Sequence, residues 1–313
     1  MKKDKPFLLI TAGEPSGIGP EVTVKALQDL RVRAACHAVL VGEPISLIEA
    51  GYTPQLGALL PIQSPRRRPA ARKPSAWGGE ISFTALETAC ELAAQTHTPL
   101  VTAPISKQSW AKAGIAFTGH TEFLRKYYGK EALMMFTDGA LRCALVSEHF
   151  AIKDLPRIIT KERIVHTGKA FAQALEKLGI AKPHIAVSAL NPHGGDNGRF
   201  GEEEKRIISP AVRTLQACRI NAQGPYPADS LWQAHCRGRF DGILCMYHDQ
   251  ALLGLKLGAL KPVVHITAGL EFLRVSPTHG TAFDIAGKDQ ADPSSMTEAI
   301  LFAAQRCPKN RLL

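Results

Sequence analysis

The sequence has no apolar run long enough to cross a bilayer, no CxxC pair, no GxGxxG fingerprint and no lysine-bearing phosphate loop. Each absence removes a class. A membrane span needs roughly 20 mostly apolar residues, so no membrane partner is expected. The stretch Phe7–Ile10 behind Met1-Lys2-Lys3 is too brief for a secretory leader, and Glu14 stands where a cleavage site belongs, which leaves the cytoplasm as the expected location. Seven cysteines (Cys36, Cys90, Cys143, Cys218, Cys236, Cys245, Cys307) stand singly, a pattern of reduced thiols rather than a disulfide frame or cysteine zinc site. Aromatic residues make up only 6% of the chain. None interleaves with the arginines of the stretch Pro65-Arg66-Arg67-Arg68-Pro69 through Arg72-Lys73-Pro74. The formal charge of +10 is therefore read as a solvated basic loop and a field that draws in anions, with no nucleic-acid partner.

What is present is a chain of 313 residues, 45% apolar and 21% charged, suited to two lobes of ordinary domain size. Apolar runs at 7–11, 38–41, 100–102, 144–146, 185–189, 243–246 and 263–266 predict strands. Helical patterns at 82–94, 161–178, 202–219 and 295–306, with a further helix starting near Glu21, lie between or beyond them. Alternating strands and helices mean an α/β architecture. In such sheets ligands sit beyond the carboxyl ends of strands, and the chemistry-bearing residues fall there. Thr102-Ala103-Pro104, His149, Asn191-Pro192-His193, Tyr247-His248-Asp249 and Thr267-Ala268-Gly269 each follow a predicted strand.

Several segments have two readings each. The turn Gly13-Glu14-Pro15-Ser16-Gly17-Ile18-Gly19-Pro20 is either a tight strand-to-helix connection or an anion cradle of backbone N–H groups. His149, His193 and His248 are too far apart in sequence to form a local metal motif, but three imidazoles hold a divalent ion while leaving positions open for a substrate oxygen. Asp249 beside His248 is a supporting or basic group. In Gly119-His120-Thr121-Glu122, a histidine and a hydroxyl are placed to donate to phosphate oxygens, and Thr121 also suits a helix cap. The loop Asn191–Glu202 is long and glycine-rich, either functional or merely mobile. Lys256 and Arg274 are candidate phosphate anchors. His279-Gly280-Thr281-Ala282-Phe283-Asp284-Ile285-Ala286-Gly287 offers apolar residues for an adenine and a carboxylate for a ribose, or is an ordinary loop entering the last helix.

These segments, together with Tyr226-Pro227-Ala228-Asp229 and Tyr247-His248-Asp249-Gln250, occur in the order seen in the 4-hydroxythreonine-4-phosphate dehydrogenases of pyridoxal phosphate biosynthesis, which the chain resembles from about Phe7 onward. The His279–Gly287 segment also resembles the adenine-binding loop of isopropylmalate and isocitrate dehydrogenases. The resemblance implies an isopropylmalate-dehydrogenase-like fold: two α/β/α lobes with an active-site cleft between them. Residues 1–125 with 270–313 would form a cofactor and substrate lobe, and 126–269 a metal-binding and dimerisation lobe. It implies His149, His193 and His248 as ligands of a zinc, magnesium or cobalt ion, in a homodimer whose active site is shared across the interface. His120, Thr121, Lys256, His265 and Arg274 match substrate-contacting positions, and His279, Gly280, Thr281, Ala282 and Asp284 the cofactor loop for NAD or NADP. Two positions depart from the family pattern. Glu14 stands where Asp is usual, and His265 where a substrate-binding Asn is typical, which bears on substrate preference.

The implied reaction is oxidation of 4-phosphooxy-L-threonine to 2-amino-3-oxo-4-phosphooxybutanoate, with Asp249 or Asp229 as the base, followed by decarboxylation to 3-amino-2-oxopropyl phosphate. Sister dehydrogenases acting on threonate or erythronate 4-phosphate, or on a cyclic diol, are the near alternatives. A phosphate-binding acyltransferase would need neither the histidine set nor the 279–287 segment.

Overall fold

The computed structural model describes residues 5–129 and 132–307. Its strands, in chain order, are β1 (Phe7–Thr11), β2 (His37–Gly42), β3 (Ala58–Pro61), β4 (Leu100–Thr102), β5 (Leu133–Thr137), β6 (Arg142–Leu145), β7 (Ile185–Ser188), β8 (Ala222–Tyr226), β9 (Gly242–Cys245), β10 (Val264–Ala268) and β11 (Arg274–Pro277). They fall into two compact α/β units, one of residues 5–129 with 264–307 and the other of 132–263. Among the described residues no helix is long and apolar enough to cross a membrane.

In the first unit the strand order is β3-β2-β1-β4-β11-β10. All neighbours run parallel except β10, which is antiparallel to β11. Strands β1 and β4 are apolar and almost wholly buried, as expected for parallel strands covered on both faces. The helix Gly19–Gln28 starts with Pro20 in its first turn, where the missing N–H costs nothing. The longest helix, Ala76–Thr96, is capped by Ser75, whose hydroxyl accepts from Gly78 N at 3.0 Å. The last helix, Ser294–Arg306, buries Met296, Ile300 and Phe302.

In the second unit the order is β5-β6-β9-β7-β8, with β6, β9, β7 and β8 mutually parallel and β5 antiparallel to β6. Its core gathers Met134, Phe136, Leu231, Trp232, Ile243 and Leu255. Helix Lys161–Lys177 is capped by Thr160 and buries Ile164, Phe171 and Leu175. The region expected as one helix over 202–219 is divided: a π-helical turn Glu204–Ile208 precedes the α-helix Ser209–Ala217. Such wide turns are costly and concentrate near functional sites.

Candidate active site

The parallel strands of the second unit end on one edge, and β6, β9, β7 and β8 are followed there by His149, His248, His193 and Asp229 respectively. Because β6 and β9 are neighbours, the His149 and His248 rings come within 5.3 Å, centroid to centroid. His248 Nδ1 lies 2.7 Å from Asp249 Oδ1. A proton held on Nδ1 for that carboxylate leaves the Nε2 lone pair for a metal. Among the described residues no three His, Cys, Asp or Glu side chains converge as a metal set, so the pair of imidazoles is the donor set drawn together here.

His193 begins six successive residues with positive φ, from 43° to 98°, ending at Gly198. His193, Asp196 and Asn197 lack glycine's freedom, and left-handed backbone costs each about 1–3 kcal/mol. Two residues that sequence reasoning left unassigned brace this edge. Glu204, 5% exposed, accepts from the backbone N–H of Leu190 and Asn191 at 2.8 and 2.7 Å and from the Asn191 amide at 3.0 Å. Gln250 donates to Ala189 O and accepts from Met246 N, both at 2.7 Å, tying the end of β7 to that of β9. The run Glu202-Glu203-Glu204 signals an acidic helix start but not which carboxylate turns inward. Asp229 is exposed and accepts from Ser230 N at 2.8 Å. Lys256 is exposed on the last turn of the helix His248–Gly258.

The first unit holds a different kind of site. Arg274 opens β11 and is 1% exposed. Its guanidinium donates to Thr102 Oγ1 at 2.6 Å and Thr267 Oγ1 at 2.9 Å, and lies 3.1 Å from His265 Nδ1. The strand register makes this cluster: Thr267 lies opposite Arg274 and His265 opposite Ser276, so alternate residues of both strands share one face. None of these partners is a carboxylate, and burial pulls the Arg274 pKa down to about 10. Among the described residues Arg274 Nε has no hydrogen-bond partner, and neither has the buried His120 Nε2. His120 begins the helix His120–Tyr128 and packs edge-on to the buried Trp110, centroids 6.0 Å apart. Burial, then the Arg274 charge and His265, hold its pKa well below the usual value, so the imidazole is neutral. Thr121 follows it half-buried, and the helix start is secured by Glu122, which accepts from Thr118 N and Oγ1 at 2.7 Å each. A buried cation with idle donors fits a phosphate or carboxylate.

The glycine-rich turn and the 279–287 segment meet in the same unit: Ile18 N donates to Thr281 O at 2.9 Å. Ala282 holds a φ of 38°, Gly280 and Asp284 are exposed, and His279 Nδ1 sits 3.1 Å from Gly280 O. His279 Nε2 is buried with no hydrogen-bond partner among the described residues, an idle nitrogen that fits a polar edge of a nucleotide. Glu14 stands where the family pattern has Asp. It is 0% exposed and its pKa is pushed up to about 6, mainly by burial, against hydrogen bonds from Ser109 and Ser16.

Comparison with known proteins fits this geometry. The family model described as pyridoxal phosphate biosynthetic protein PdxA matches residues 25–303. A 4-hydroxythreonine-4-phosphate dehydrogenase of Caulobacter vibrioides is 40% identical over 95% of this chain and 96% of the relative. A Symbiobacterium thermophilum protein provisionally named a D-threonate 4-phosphate dehydrogenase is 36% identical over 96% of each. The crystal structure of a 4-hydroxythreonine-4-phosphate dehydrogenase from Klebsiella pneumoniae superposes with a TM-score of 0.86 at 30% identity, covering 97% of this chain and 99% of that one. The chain belongs to the PdxA family of pyridoxal phosphate biosynthetic proteins.

Proposed function

We infer that this chain oxidises 4-phosphooxy-L-threonine with NAD or NADP, assisted by a divalent metal, to 2-amino-3-oxo-4-phosphooxybutanoate. That β-keto acid then loses carbon dioxide to give 3-amino-2-oxopropyl phosphate, a step in making pyridoxal 5'-phosphate (vitamin B6). The observation that carries the reading is Arg274, a guanidinium withdrawn from water whose partners are two hydroxyls and an imidazole. Such a group is stabilised by an anion, and the relatives named above act on phosphorylated substrates.

A bound divalent ion supplies Lewis-acid polarisation of a hydroxyl, and a bound nicotinamide supplies the hydride acceptor. The chain's residues supply the rest. Arg274, His120 and Thr121 hold the phosphate, the neutral imidazole donating without adding charge, and the exposed Lys256 is a further cation for the anionic substrate. His149 and His248, with His193 contributed across a homodimer, provide neutral nitrogen ligands suited to zinc or cobalt, and to magnesium less well. Asp249 orients His248 through the 2.7 Å contact at Nδ1. Asp229, exposed at the same strand edge, is then the group left to accept the hydroxyl proton. His279, Gly280, Thr281, Ala282 and Asp284 line the nucleotide. The dimer is supported by an exposed apolar row, Leu253, Leu257 and Leu260, at 65%, 87% and 94% exposure. Apolar exposure of this extent, along the helix His248–Gly258 and just past its end, calls for a partner surface.

The test is NAD(P)H formation with 4-phosphooxy-L-threonine, with chelator and after metal restoration. Metal-dependent reduction supports the reading; silence with that substrate refutes it. The 36% identity to a protein provisionally named a D-threonate 4-phosphate dehydrogenase supports one second reading, D-threonate 4-phosphate as substrate, with His265 the departure that bears on the choice. A side-by-side assay separates the two.

A further inference from the structure

The basic loop is not merely solvated. Residues 65–74 contain Arg66, Arg67, Arg68, Arg72 and Lys73 and no acidic residue. Arg66 pairs with Glu80 at 2.7 Å. Arg68 and Arg72 both reach one oxygen of Glu49, at 2.5 and 3.2 Å, so two guanidinium charges share a single carboxylate. Arg68 also lies over the Trp77 ring, 5.7 Å from its centroid. Arg72 is seated against Gly287, which has a φ of 74°. A Cβ there would fall 2.5 Å from Arg72 Nε and 2.7 Å from its Cζ. Gly287 therefore admits the guanidinium to the end of the 279–287 segment. Ser16 of the glycine-rich turn joins Glu49, Arg68, Pro69, Ala70 and Arg72 around a cavity of about 380 Å³, within the size range of small-molecule sites. Three stretches distant in sequence thus meet at one pocket with surplus positive charge.

We propose that Arg68 and Arg72, with Ser16, form a phosphate-binding pocket for the dinucleotide cofactor, held ready by Glu49. The inference rests on the nicotinamide-dependent reaction proposed above and adds the residues that grip a charged part of the nucleotide. Arginine forks match phosphate oxygens in pairs, and a serine hydroxyl adds a donor. Glu49 fixes the two side chains while the pocket is empty and competes with the incoming anion, so it sets affinity as well as geometry. A dinucleotide offers two anionic groups of the same chemistry, the diphosphate bridge and, in NADP, the 2′-phosphate. Occupancy by the 2′-phosphate makes the pocket a selector of NADP. Occupancy by the diphosphate leaves Asp284 for ribose hydroxyls and makes the pocket indifferent between NAD and NADP.

Calorimetric titration of the full chain with adenosine, ADP and adenosine 2′,5′-bisphosphate tests this by binding rather than turnover. Arg72→Ala and Arg68→Ala are expected to weaken one phosphorylated nucleotide roughly 10- to 100-fold, as for a lost charge-assisted hydrogen bond, and to leave adenosine unchanged. Loss confined to the bisphosphate assigns the 2′-phosphate; loss with ADP assigns the diphosphate. Glu49→Gln is expected to tighten the same nucleotide, a gain that misfolding cannot imitate. Arginine variants that bind both nucleotides as the parent does, or a Glu49→Gln variant that binds no tighter, overturn the pocket and leave the reaction standing. A parent chain that binds no nucleotide overturns both.

Discussion

Glu14 permits a calculation that needs no substrate. Its carboxyl is fully buried, accepts from Ser16 N at 3.3 Å, and has a second oxygen with no hydrogen-bond partner among the described residues. Burial outweighs the hydrogen bonds and raises the pKa from 4.5 to about 6. A carboxyl whose folded pKa lies above its unfolded value binds protons more tightly in the folded state. The associated stability is complete below pH 4.5 and is lost as pH rises through about 6. The gap corresponds to about 2 kcal/mol. Glu14→Gln keeps the shape and removes the titration. Its absolute stability includes the cost of placing an amide where one oxygen is idle, but that offset does not vary with pH. Urea unfolding of both proteins from pH 4 to pH 7, followed by tryptophan fluorescence, measures the difference. The variant should gain about 2 kcal/mol on the parent across that interval. Trp77 and Trp110, at 6% and 0% exposure, report the first unit. The lowered pKa of His120 acts oppositely, but it is common to both proteins and cancels. A stability difference that stays flat with pH refutes the burial argument.

Three further outcomes follow from contacts already described. Gly78→Ala places a Cβ 1.9 Å from Glu14 Oε1 and should cost about 1–3 kcal/mol in urea unfolding, with part recovered in the Glu14→Ala, Gly78→Ala double variant. Arg274→Lys keeps the charge but loses the fork that spans Thr102 and Thr267. Its KM for the phosphorylated substrate should rise roughly 10- to 100-fold, and an unchanged KM would remove Arg274 from the phosphate site. Asp249→Asn should weaken metal retention roughly 10- to 100-fold in chelator competition, because His248 loses the carboxylate at its Nδ1. Equal retention would show that the contact does not set the tautomer.

The parallel core was legible because β1, β4, β7 and β9 are apolar, β-branched and bounded by turn residues. Four strands were not. Strand β3 is only partly buried. Leu133–Thr137 is buried along its whole length, so no alternation marks it as a strand rather than part of a helix. Ala222–Tyr226 contains Gly224 and Pro225, residues that demote a strand in sequence and are tolerated here because β8 lies at the end of its unit's strand order. Arg274–Pro277 begins with an arginine, whose ordinary place is the surface. The candidate site divides in the same way. Histidines after strand ends are visible as a pattern, while Glu204 and Gln250 act through backbone groups far along the chain, where residue type gives no sign of direction.

The two units solve different problems with different degrees of burial. His149 and His193 are exposed and His248 is half-buried, which suits the metal role and the shared site proposed for them. Their placement is fixed from beneath, by Glu204 holding the Leu190–Asn191 backbone and Gln250 linking two strand ends. At Arg274 the order is reversed: the charge itself is buried and its neighbours are hydroxyls. Two neutral hydroxyl acceptors and an imidazole orient a guanidinium but do not neutralise it, so the buried charge carries a standing electrostatic cost. In the phosphate role proposed for Arg274, that cost is also the source of selectivity. An anion entering the cluster recovers it, whereas a neutral analogue of the same shape leaves the cation buried and unpaired. The neutral state of His120 belongs to the same argument, since a second positive charge beside Arg274 would raise the cost before any ligand arrived.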